Sequence, residues 1–211
     1  MYIGAGDHKI IMSIKINGAT SNANAEVDAI SKALRVTLYD VNGVAIGPRA
    51  TYDAASSAFT PGATPTDVFT LTGSGTKTIR VTRIRVSGIQ TTTGNNAFFL
   101  IKRSSANTGG TSASVTAVPR DSTNAAATGT VLQYTANPTL GGTIGSVRCS
   151  RLFTPAAAAV AASDTIIWDF DDFQTGPVIL RGTGQVLAVN FNGAALPAGL
   201  SLLCSITWTE E

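Results

Sequence analysis

The sequence predicts an all-β fold, an antiparallel sandwich, and three observations carry that prediction. Short apolar runs with period-two alternation recur along the chain, turn-prone clusters separate them at close intervals, and no long amphipathic helical stretch intervenes. With 211 residues, 44% of them hydrophobic, the chain has apolar material for one full sandwich and something left over.

The first alternating run is residues 10–16, where Ile10, Met12, Ile14 and Ile16 share a face. Val27, Ile30 and Leu34 have the spacing of a short helix over 25–34. Alternation returns over 34–39, and Asn42-Gly43 then leads into Val44-Ala45-Ile46, a hairpin signal because both turn residues tolerate positive φ. Residues 47–66 contain Pro48, Pro61 and Pro65 among Ala, Ser and Thr, and read as a linker or an extended arm.

From Asp67 the pattern becomes regular. Strands are predicted over 67–72, 78–87, 96–103, 113–118, 130–135, 144–152, 165–170, 178–181, 185–191 and 200–209. The last is the cleanest, with Leu200, Leu202, Cys204, Ile206 and Trp208 on one face and Ser201, Ser205, Thr207 and Thr209 on the other. Within 78–87, Ile79 and Val81 have one parity and Ile84 and Val86 the opposite one, which an extra residue near Thr82-Arg83 would reconcile as a bulge. Phe98-Phe99-Leu100-Ile101 is apolar on both faces, so one face is expected on the core and the other on a neighbouring loop or subunit. Pro155 to Ala162 is rich in alanine and long enough for one or two helical turns.

Charged residues make up 13% of the chain, about half of the ~25% usual for soluble domains. A surface of neutral hydroxyls and amides costs less to desolvate than one of ions. It suits a chain that lives packed against other subunits. The net charge of +2 carries no signal for nucleic acid. Lys77, Arg80, Arg83, Arg85, Lys102 and Arg103 do gather on two neighbouring predicted strands. No run approaches the ~18 apolar residues of a membrane-spanning helix, and Met1 to Asp7 lacks the basic-then-apolar order of a secretory signal. The expectation is a protein made in the cytoplasm and not exported by the usual route. Cys149 and Cys204, both in strand-like runs, are expected to be buried thiols, with a bridge between them as the alternative.

No catalytic constellation emerges. His8 is the single histidine and sits in a polar stretch, so a Ser-His-Asp or Cys-His set would depend on it alone. Two separated cysteines and one distant histidine do not make a zinc site. Gly73-Ser74-Gly75-Thr76-Lys77-Thr78 lacks the glycine that must precede the lysine of a phosphate loop, and a tight hairpin accounts for it better. Asp169, Asp171 and Asp172, with Asp164 nearby, are the one acidic cluster that a hard cation could use; solvated turn carboxylates are the alternative. A paired-carboxylate glycosidase would want aromatic platforms, yet Trp168 and Trp208 both have core-facing parity. The chain is therefore read as non-enzymatic, with no cofactor.

Five stretches carry a family resemblance: Thr78 to Ile84, Leu100 to Gly110, Tyr134 to Pro138, Leu180 to Asn190, and Thr207 to Glu211. In these the region from Asp67 onward resembles the jelly-roll-type structural proteins of tailed-phage virions, notably head-decoration or cement proteins. The resemblance implies a jelly-roll-like antiparallel β-sandwich over 67–211; order and composition make residues 1–66 an N-terminal strand-containing anchoring arm or small base. The resemblance leaves head, neck and tail open; the leading expectation is a capsid decoration role at the virion surface, with the major capsid protein or other virion proteins as partners, no nucleic acid, and a homotrimer as the assembly state. Subunit contacts are expected at Phe98, Phe99, Leu100, Ile101, Arg83 and Arg85. The alternative is a tail-fibre or receptor-binding module of lectin type, which would present loop aromatics such as Tyr52, Phe59 and Phe173.

Overall fold

The computed structural model describes residues 26–27, 34–35, 49–157, 164–170 and 176–211. The chain forms two compact units, residues 1–47 and 48–211. In the first, β1 (Glu26–Val27) pairs antiparallel with β2 (Leu34–Arg35). The helical spacing of Val27, Ile30 and Leu34 thus gives way to strand at both of its described ends. The strand expected at 10–16 and the hairpin around Asn42-Gly43 lie outside the described residues.

The second unit is an antiparallel β-sandwich. Its strands are β3 (Ala50–Ala55), β4 (Asp67–Thr72), β5 (Ile79–Ile89), β6 (Gly94–Arg103), β7 (Thr111–Val115), β8 (Ala117–Pro119), β9 (Thr130–Ala136), β10 (Thr143–Thr154), β11 (Thr165–Asp169), β12 (Val178–Leu180), β13 (Val186–Asn190) and β14 (Ser201–Glu210). Sheet I runs in the order β10-β6-β13-β4-β9-β7. Sheet II runs β11-β5-β14-β3-β8, with β12 joining β5 beyond the end of β11.

The predicted strands from Asp67 onward are all present, most within two residues of their expected ends. One divides. The run predicted over 113–118 becomes β7 in sheet I and β8 in sheet II, so the chain crosses between layers at Thr116. The turn at 73–78 also differs from its reading as a hairpin. β4 and β5 belong to different sheets, so this turn is an arch between layers. Ser74 shapes it: its buried hydroxyl oxygen accepts hydrogen bonds from the backbone N–H groups of Thr76 and Lys77, at 3.1 and 3.2 Å. Those are the groups a phosphate would have needed.

Residues 48–66 belong to the sandwich. β3 pairs with β14 along six residues, and Tyr52, Ala54 and Phe59 are buried in the core. The expected boundary at 66/67 therefore gives way to one at 47/48. The physical reason is that one deeply buried aromatic, Tyr52, anchors a strand otherwise made of small residues.

The core lies between the two sheets. From sheet II it takes Ile79, Val81, Ile84 and Val86 of β5, Leu202, Cys204, Ile206 and Trp208 of β14, and Trp168 of β11; from sheet I, Phe69, Leu71, Phe98, Leu100, Leu187 and Val189. All four β5 positions face inward because Thr207 pairs with Arg83 while Trp208 pairs with Val81, leaving Thr82 as the extra residue. The bulge inferred from the parity change is there. The bulge carbonyl is satisfied, since Thr82 O accepts the N–H of Phe170 at 2.8 Å. Tyr52 stacks on Trp208 with ring centroids 5.8 Å apart, and Phe98 meets Phe191 edge-on at 5.0 Å. Each large side chain removed from water in this layer contributes roughly 1.5–3 kcal/mol.

Candidate interaction surfaces

Polar chemistry in this fold falls into two kinds, one buried and structural, the other exposed on the sheet faces. The buried kind is centred on Asp67, at the start of β4, and Arg103, at the end of β6. Both are almost wholly buried. Arg103 Nε and Nη2 donate to the two Asp67 carboxylate oxygens at 2.5 and 2.7 Å, the side-by-side geometry that suits a guanidinium and a carboxylate. Asn107 and Asn190 donate to the same carboxylate at 2.7 and 2.6 Å. The remaining Arg103 nitrogen, Nη1, donates to Gly141 O and Thr143 Oγ1. Each carboxylate oxygen accepts twice and each Arg103 nitrogen donates, the compensation that a buried ion pair requires.

This cluster ties loop 104–110 to loop 137–142. Ser104 N–H donates to Gly142 O, Gly141 N–H donates to Asn107 Oδ1, and Thr108 and Thr139 exchange backbone hydrogen bonds. The loops meet so closely that a Cβ on Gly141 would stand 1.9 Å from the Ser105 carbonyl oxygen. Only glycine fits there.

A second buried carboxylate closes the other end. Glu210 accepts from Trp208 Nε1, from the N–H groups of Thr128 and Gly129, and from the Thr128 hydroxyl. Burial works to raise its pKa, but the hydrogen bonds from Trp208, Gly129 and Thr128 together hold it below the usual carboxylate value.

The basic residues that the sequence gathered onto two neighbouring strands do not share one face. Arg103 is buried in sheet I, and Lys102 Nζ donates to Ile179 O. Arg83 and Arg85 instead point outward from β5 in sheet II. Arg83 donates through Nε and Nη2 to Asp169 Oδ2. Beyond it, Arg120 pairs with Asp53, which also accepts from the Thr207 hydroxyl at 2.6 Å. The Arg120 hydrogen bond, helped by Thr207 and the charges of Arg120 and Arg83, holds the Asp53 carboxyl below its ordinary pKa against partial burial.

The subunit-contact residues expected on β6 separate by parity. Phe98 and Leu100 are fully buried in the sandwich core, so neither is available to another subunit. Phe99 and Ile101 are half-buried on the outer face of sheet I, beside Cys149 and Ser146 of β10. Cys149 is exposed, contrary to the expectation of two buried thiols, because its partner Phe99 points outward. Cys204 is buried as expected, and burial pushes its pKa well up.

Large apolar side chains are exposed on both sheets, Val118 of β8 and Ile144 of β10 most of all. Phe153 stands on β10 at 39% exposure, on the same face as Cys149 and Phe99. On sheet II, Ile89, Ile167 and Leu203 are 43–52% exposed. By contrast Tyr52 and Phe59, the aromatics on which a sugar-binding loop cluster would have drawn, are core residues. Trp168 and Trp208 are buried too, as their parity predicted. His8, Asp171, Asp172 and Phe173 lie outside the described residues. Among the described residues, no three His, Cys, Asp or Glu side chains come together as a metal site, and no helix is long and apolar enough to cross a membrane.

Comparison with protein-family models, with curated proteins and with solved structures finds no match to this chain.

Proposed function

We propose that this chain is a structural protein of a phage virion, a decoration protein that binds the major capsid shell and stabilises it through a jelly-roll sandwich. The strand pairing carries the reading. Taken in chain order, β3, β4, β5, β6, β10, β11, β13 and β14 pair first with last, second with seventh, third with sixth and fourth with fifth, all antiparallel. A single long hairpin rolled up on itself has these pairings, and the contacts β6–β13 and β5–β14 are those made as the roll closes. That arrangement supports two Greek keys in the jelly-roll sense, an architecture shared by viral capsid and lectin domains. β7, β8 and β9 are then additions that widen both sheets on the side of β3 and β4.

Architecture alone does not assign a role. What favours assembly is where the chemistry is spent. The buried ion pair at Asp67 and the acceptor at Glu210 are consumed by intramolecular hydrogen bonds, while the outer sheet faces expose Phe153, Ile89, Ile167 and Leu203, on sheet II beside the charged groups of Arg83, Arg85, Arg120 and Asp53. Apolar side chains on a weakly charged surface are what a protein-covered face requires. In this reading residues 1–47 serve as the anchoring segment, and a homotrimer forms through outer strand faces such as Phe99 and Ile101. Burial that exists only in the assembled shell then stabilises the particle by linkage. Purified protein added to bare heads should bind and raise their melting temperature. A protein that neither binds nor shifts the melting of such heads would refute the role.

A further inference from the structure

The outer face of sheet II contains a polar hollow of about 160 Å³, lined by Asp53, Arg83, Arg85, Arg120, Ser205 and Thr207. Cross-strand register builds it. Thr207 stands opposite Arg83 on one side and Asp53 on the other, and one step along the same face Ser205 stands opposite Arg85. The lining holds three guanidinium groups and one carboxylate. Two of the three are engaged: Arg83 with Asp169, and Arg120 with Asp53. Arg85 makes no hydrogen bond or ion pair among the described residues and is exposed. The Asp53 carboxylate already accepts from Arg120 twice and from Thr207. The hollow therefore keeps an excess of positive charge, with Arg85 and the Ser205 hydroxyl unspent.

The surroundings say which anion fits. Ile167 lies directly across from Arg85 on β11, and Leu203 is two residues before Ser205 on the same face of β14. Leu203 pairs with Ser87, which sits between Arg85 and the exposed Ile89 on β5. An inorganic anion gains nothing from such an apolar border. A protein side chain does, because an interface combines apolar contacts with a few charged groups that set its register, and arginine is enriched there.

We infer that Arg85 and Ser205 receive the carboxylate of a glutamate or aspartate from a partner protein, whose neighbouring apolar side chains cover Ile167 and Leu203. The inference rests on reading the chain as an assembly subunit, and it names the chemistry of one contact. It can be tested without the partner, using the full chain and a short peptide, acetyl-Leu-Glu-Leu-amide, followed by NMR at the arginine side chains and the backbone of β5 and β14. An isolated contact of this kind should bind with a dissociation constant on the order of millimolar. Shifts should saturate at Arg85 and Ser205. The neutral peptide acetyl-Leu-Gln-Leu-amide and the variant Arg85→Ala should each weaken binding by about tenfold, the worth of a charge-assisted hydrogen bond. Leu203→Ser should weaken it a few-fold, roughly the loss of part of one apolar contact. Arg85 and Leu203 are exposed, so both variants should retain the spectrum of the folded chain. The inference is overturned by absent saturation, by equal binding of the glutamine peptide, by Arg85→Ala binding as well as the parent, or by inorganic phosphate occupying Arg85 more tightly than the peptide. None of these outcomes touches the binding of the protein to bare heads, so the two proposals fail separately.

Discussion

Removing the carboxylate of Asp67 is the sharpest perturbation this fold offers. In Asp67→Ala the Arg103 guanidinium, 2% exposed, loses both oxygens it faces, and the amides of Asn107 and Asn190 lose an acceptor. Stranding one partner of a buried ion pair costs about 3–5 kcal/mol, because the remaining charge stays out of water without compensation. For a chain of this size each kcal/mol lowers the melting temperature by about 2–4 °C, so the variant should melt roughly 6–20 °C lower. Asp67→Ala combined with Arg103→Met removes the stranded charge and should recover a large part of the loss. Urea unfolding of the parent, both single variants and the double variant gives the coupling directly. A single-variant loss below about 1 kcal/mol would refute the reasoning, as would a double variant as unstable as the sum of the two singles.

Other consequences follow from the same geometry. Gly141→Ala places a methyl against the Ser105 carbonyl and should cost about 1–3 kcal/mol by forcing loops 104–110 and 137–142 apart; an unchanged melting temperature would contradict the close approach. Because the folded-state pKa of Glu210 is depressed, its contribution is fully present above the ordinary carboxylate value near ~4.3 and is lost as pH falls through the lower folded value. Acid unfolding followed by fluorescence should therefore steepen below about pH 4, and Glu210→Gln should flatten that limb while lowering stability at neutral pH. A thiol reagent should modify Cys149 quickly in the native protein and Cys204 only on unfolding; two equally fast thiols would contradict the burial of Cys204. Deleting residues 200–211 removes β14, which lies between β3 and β5 in sheet II, and should abolish folding; a soluble, cooperatively melting truncation would contradict that.

What was legible in the sequence was whatever alternation alone can encode. The inward face of β14, from Leu202 to Trp208, reads directly from period two, and the parity change between Val81 and Ile84 puts a bulge near Thr82-Arg83, which the register fixes at Thr82. Layer assignment was not legible. Nothing local distinguishes a turn within a sheet from one between sheets, so 73–78 and the division at Thr116 were misread. Tyr52 and Phe59 were hidden because Ala, Ser and Pro surround them, and composition outweighed two buried rings.

The Asp67–Arg103 pair was beyond sequence reasoning for a different reason. The two residues are 36 apart, β13 lies between their strands, and the register pairs Asp67 with Asn190 but Arg103 with Val186, so neither sequence distance nor strand register places the two side chains in contact. One signal did exist: Arg103 ends an apolar strand in the basic cluster, where a charge facing a covered surface demands a partner. Similarly, Phe98 and Leu100 were grouped with Phe99 and Ile101 because all four are apolar, although parity alone puts the two pairs on opposite faces of β6.

Electron cryo-microscopy of the intact phage particle tests the central claim most directly. A map containing this sandwich should place it on the outside of the head, bridging neighbouring shell subunits, with an outer sheet face covered by protein. Density for it absent from the head, or found only at the tip of a tail fibre, would contradict the account.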